Sequence, residues 1–162
     1  MRQTPIKTAR IWRLLTVFLL LTALTGCKSA RVRELEEYRL NMSRFFENVT
    51  AYDKTINAID PNAEHASEEL LRNLDGLNAE FTTMASYPIP DDFASVSEIT
   101  QDAASSMSRA VALYHEAYTG TFDAVKAAEA RSHYLRAGKC VQIIVQVLHG
   151  ETPSGEGVTI LY

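Results

Sequence analysis

The sequence predicts an all-α protein, an antiparallel up-down-up-down four-helix bundle that follows a cleaved amino-terminal signal. Three observations predict it. Apolar residues recur at alternating intervals of three and four over four long stretches, which marks helices with an inward seam. Pro61, Pro88, Pro90 and Pro153 fall between or after those stretches and not inside them. At 46% apolar and 22% charged, the 162 residues suit one domain with a core, not a disordered chain.

Residues 1–26 come first. Arg2, Lys7, Arg10 and Arg13 precede an uncharged apolar run, Leu14 to Leu24. These are the charged and apolar regions of a secretory signal, and the run is too short to cross a bilayer as a permanent helix. Leu24-Thr25-Gly26-Cys27 follows directly and resembles the lipobox of bacterial lipoproteins. That resemblance implies a diacylglyceryl group on the Cys27 thiol, cleavage just before it, and acylation of the new amino terminus. Cys27 then becomes the first residue of a mature protein held to membrane lipid on the extracytoplasmic side. Two or three acyl chains bury enough methylenes for stable anchoring. Lys28 differs from the acidic residue that retains such proteins at an inner membrane, so a two-membrane host is expected to export this one outward.

The first mature segment, about 30–59, carries Leu35, Tyr38, Met42, Phe45, Val49, Tyr52, Ile56 and Ile59 on one seam. Asp60 and Pro61 suit the N-cap and first position of a second helix, which reaches about Ser86 with Leu70, Leu74, Leu77, Phe81 and Met84 inward. Gly76 weakens its interior, and Tyr87-Pro88-Ile89-Pro90 ends it. Asp91 and Asp92 open a third helix at its favourable end for negative charge, with a stripe running from Phe93 through Met107 to Ala117. Gly120 fits the C′ position, and Thr121 the N-cap of a fourth helix from Phe122 to His149. Val125, Ala128, Leu135, Val141, Ile144 and Leu148 are its expected inner face. The β-branched run Val141 to Val145 also admits a strand, although the preceding pattern favours helix.

Short connections make consecutive helices antiparallel neighbours, and alanines at 124–130 allow the third and fourth to approach closely. The same elements can alternatively pair as hairpins between two chains. The predicted organisation is a signal at 1–26, a bundle at 27–150 and a tail at 151–162. The tail ends in the apolar Val158-Thr159-Ile160-Leu161-Tyr162, which either docks on the bundle or adds to the sheet edge of a partner.

The formal charge of −4 offers no general attraction to nucleic acid. Cleavage removes four basic groups and no acid, leaving 12 basic against 20 acidic residues over 136, a net −8. With Cys27 lipidated, Cys140 stands alone in an apolar helical context that favours a buried, inert thiol. Di-iron bundles need Glu-x-x-His pairs; the residues three before His65, His115, His133 and His149 are Asn62, Ala112, Ala130 and Gln146. Looser pairs stand at His65/Glu69 and Glu129/His133, and Met42 with His133 or His149 is a conceivable haem pair without a Cys-x-x-Cys-His motif. No phosphate loop or nucleophile elbow is present in the sequence. No catalytic residue, metal ligand or cofactor is therefore assigned, and Cys27 is the one site residue.

In its helical architecture the mature chain resembles the small helical lipoproteins of anaerobic Gram-positive bacteria. The expected function is a non-enzymatic, membrane-anchored binding or scaffold module, its partner, a protein or otherwise, not specified by the sequence. The alternative is a small-ligand- or metal-binding or enzymatic bundle, with His133, Glu129 and His115 around a polar cavity.

Overall fold

The computed structural model describes the backbone of residues 6–151 and the side chains of residues 30–151. The expectations for the signal and for Cys27 lie outside the described side chains, and those for residues 152–162 outside the described residues. Among the described residues every regular element is helical: α1 (Ile6–Ala58), α2 (Ala66–Ala85), a 3-10 segment (Asp91–Val96), α3 (Ser97–Tyr118) and α4 (Ala124–Leu148). Helix α1 begins well before the expected residue 30, and no proline lies between Pro5 and Pro61 to stop it. The β-branched run at 141–145 is helix.

The chain divides into residues 1–37 and a body of residues 38–162. In the first, Val32 is exposed and Leu35 half-buried. In the second, the α1 seam is buried at Tyr38, Met42 and Phe45 and only half-buried at Val49, Tyr52 and Ile56. Phe45 meets Phe81 of α2 edge-to-face, with centroids 5.2 Å apart, and Asn48 donates to Glu80 at 3.0 Å. Leu74, Leu77, Phe81 and Met84 of α2 are buried as the spacing predicts. At Gly76 a Cβ would come 2.5 Å from the Tyr52 hydroxyl and 2.7 Å from its ring, so the glycine that weakens the helix locally leaves room for the Tyr52 side chain of α1.

Three more helix starts differ from expectation. Asp91 and Asp92 open a 3-10 segment and not α3, which begins at Ser97, because the buried Phe93 leaves helical geometry (φ −119°, ψ 19°). Asp60 caps no helix; its carboxylate accepts from the Asn62 amide at 2.9 Å and its carbonyl from Ala63 at 3.0 Å. This self-contained turn delays α2 to Ala66, because a short carboxylate satisfies the nearest amides wherever they converge. Helix α4 is capped by Asp123 in place of Thr121: the Asp123 carboxylate accepts from the amides of Val125 (3.0 Å) and Lys126 (3.1 Å). A carboxylate also complements the helix dipole, which a hydroxyl does not. Gly120 takes the expected C′ role with φ +79°.

The inner face of α4 is corrected in part. Ile144 is buried as expected and Val141 and Leu148 are half-buried, but Ala128 is exposed and Val125 and Leu135 are 79% and 54% exposed, while Ala130, Ala137, Cys140 and Ile143 are buried. Small residues set the contact: Ala103, Ala110 and Ala117 of α3 and Ala130 and Ala137 of α4 are each 0% exposed. Asp102, Arg109 and Glu116, one heptad apart beside those α3 alanines, pair with Arg136 (2.9 Å), Glu129 (3.4 Å) and Lys126 (2.8 Å) of α4. Such exposed pairs add little stability but favour one register.

Tyr38 packs against Phe93 with centroids 5.6 Å apart, and its buried hydroxyl has no hydrogen-bond partner. Burial pushes its pKa up to about 12. An orphaned buried hydroxyl costs about 1–3 kcal/mol, so Tyr38→Phe should raise stability by about 1–2 kcal/mol in urea denaturation. Because the unfolded phenol titrates near pH 10, unfolded chains lose this proton first. Stability should fall as pH rises from about 10 to about 12, and Tyr38→Phe should flatten that fall.

Candidate functional site

Where the α1–α2 turn meets the α3–α4 turn, a groove of about 480 Å³ opens. Its apolar lining comes from four pieces of chain: Ile56 and Ile59, Pro61, Leu70, Tyr118 and Phe122. Each is there for a local reason. The Asp60 turn starts α2 late, so the last seam residues of α1 have no full helix opposite them and stay half-buried. Capping by Asp123 leaves Phe122 outside α4, where it is 55% exposed. Tyr114, Tyr118 and Phe122 form a ladder with centroid separations of 6.5 and 5.1 Å, which carries an aromatic surface from the bundle into the groove.

One acid, Glu64, lines the groove, and the stretch of chain around it is acidic. Asp60, Glu68 and Glu69 stand next in sequence to lining residues and are exposed, and no Lys or Arg occurs from residue 59 to residue 71. His65 Nδ1 lies 3.4 Å from Glu68 and not on Glu69, the i+4 partner considered from the sequence.

A second polar cluster ties α3 to α4. The Asp102 carboxylate receives Arg136 Nε at 3.2 Å and Nη2 at 2.9 Å, Ser106 Oγ at 3.4 Å and the Cys140 thiol at 3.5 Å. Partial burial opposes ionisation of Asp102, but these donors and the Arg136 charge hold its carboxyl below the usual range. Cys140 is 1% exposed; burial first, then the Asp102 charge, pushes its thiol up to about 11. A thiol at that value is protonated at neutral pH, the unreactive form.

The residues of the alternative polar cavity are engaged separately. His115 Nε2 is 2.7 Å from Asp75 of α2, and Glu129 pairs with Arg109. His133 is half-buried on α4, and Met42 is a core residue, 1% exposed. Among the described residues no group of three or more His, Cys, Asp or Glu side chains gathers to hold a metal, and no helix is long and apolar enough to cross a membrane. Burial draws the Tyr134 pKa up to about 12, aided by the charge of Asp53 across from α1.

No family model, curated protein or solved structure matches the chain. The groove was not foreseen from the sequence. One signal was available, the persistence of Ile56 and Ile59 on the seam beyond the point where an opposing helix could begin.

Proposed function

We propose that this chain is a lipid-anchored, extracytoplasmic binding module without enzymatic activity, a four-helix bundle with a groove at one end. The observation that carries the binding role is the groove itself: about 480 Å³ whose lining is as much polar as apolar, with Glu64 and Ser67 beside Ile56, Leu70 and Tyr118 and with Phe122 55% exposed. Sites of this kind accept the apolar side of a partner.

The bundle is read as up-down-up-down and antiparallel. Contacts between neighbouring helices support this, since the residue number rises on one helix as it falls on the next. On α1 and α2 they are 45 with 81 and 48 with 80; on α2 and α3, 75 with 115 and 85 with 101. Between α3 and α4 they are 102 with 136, 109 with 129 and 116 with 126. Asp53 facing Tyr134 links α4 back to α1. In this reading the chain enters the body at Tyr38, and the groove lies some 18 residues further along α1, about 27 Å at 1.5 Å per residue.

The anchor rests on Leu24-Thr25-Gly26-Cys27 behind a charged and apolar leader. Mass spectrometry of the membrane fraction should find a chain that begins at Cys27 and carries a diacylglyceryl group. Cys27→Ser should take up no lipid and leave the membrane still folded by circular dichroism. An intact leader on the wild-type protein, or a wild-type chain free in the cytosol, overturns the anchor.

A further inference from the structure

We propose that the groove takes a cationic amphipathic segment of a partner protein, with its apolar side chains against Leu70, Tyr118 and Phe122 and its lysines or arginines on Glu64 and the acidic stretch of chain around it. This deepens the binding role above and rests on it. The floor supplies affinity: Ile56, Ile59, Leu70 and Tyr118 are half-buried and Phe122 is 55% exposed, so a docked apolar face removes surface that the fold alone leaves wet.

The acidic stretch selects charge. Asp60, Glu64, Glu68 and Glu69 stand within ten positions without a lysine or arginine among them. The basic group nearest in the chain on the opposite side, Lys126, is already 2.8 Å from Glu116. Glu68 and Glu69 also offset the amino-terminal dipole of α2. Asp60 and Glu64 lie before that helix, and Glu64 lines the groove. An anionic ligand meets repulsion here. A second copy seated about a two-fold axis sets each acidic stretch against itself, which like charges disfavour.

The test uses the full chain, purified in a non-ionic detergent, and three photo-crosslinkable synthetic peptides. They share one helical apolar face of leucine and phenylalanine and carry lysine, glutamine or glutamate on the other. The lysine peptide should crosslink to the groove, with mapped sites at Ile59, Leu70 or Phe122, about tenfold more than the glutamate peptide. Its lead should shrink in 1 M salt, where the screening length falls to about 3 Å. Phe122→Ser should reduce crosslinking of all three peptides, and Glu64→Lys that of the lysine peptide alone. Leu135→Ser, an exposed α4 position whose residue does not line the groove, should change nothing.

Equal capture of all three peptides overturns the cationic partner and leaves the binding module standing. Capture of none, or crosslinks that map elsewhere, overturns both. A dimer that Phe122→Ser dissolves assigns the groove to a second copy instead. None of these outcomes depends on the lipid anchor, which the analysis of Cys27 decides separately.

Discussion

Phe45→Ala is expected to remove about 3–5 kcal/mol of stability. Phe45 is 1% exposed and stands edge-to-face on Phe81, 5.2 Å away with the rings at 83°, beside Phe46 at 5.5 Å. Alanine there forfeits the transfer energy of a ring, the aromatic pairing and the contacts of every atom that lined it. Close-packed helices collapse only partly into such a void. Since domains of this size hold about 5–15 kcal/mol in total, the loss should show as a large drop in the urea midpoint. Val49→Ala, one turn further along at a half-buried position, should cost much less. A near-neutral Phe45→Ala would mean that the α1 seam does not face α2.

Ala110→Leu is expected to cost about 3 kcal/mol, at the upper end of the range for overpacked cores. Ala110 is 0% exposed, between Ala103 and Ala117 one heptad to either side. Helices whose facing residues are alanines approach at the short end of the usual 8–10 Å range. A leucine has no empty volume to enter and must push α3 from α4. That shift strains the pairs of Asp102, Arg109 and Glu116 with α4 as well. Ala112→Leu, on the exposed side of the same helix, should stay within about 0.5 kcal/mol. Thermal melts of the two variants check the difference, and equal melting points would show that the alanine row is not the contact.

The number of helices and the inner faces of α2 and α3 were legible in the sequence. A 3.6-residue helix translates spacing directly into a face, and large apolar residues mark that face where it is buried. The same logic failed in part on α4. Val125 and Leu135 look like core but are exposed; of the alanines at 124–130 only Ala130 is buried, and Ala137, which packs with it, carries too little apolar surface to stand out. The helix starts failed for a related reason. Asp60 and Asp123 are both good caps, and the choice between turn and cap rests on which amides the surrounding chain brings to each carboxylate.

By itself, then, the sequence determined an all-helical chain, three of its seams, the small-residue character of α3 and the expectation of a lipid anchor at Cys27. All of these are written in residues close together along the chain. Only the tertiary structure decided the phase of α4, the heptad of ion pairs along α3 and the groove that joins Ile56, Leu70 and Phe122. A groove is the space that packing leaves at the ends of elements, and its shape follows from where distant turns meet, which local periodicity does not encode.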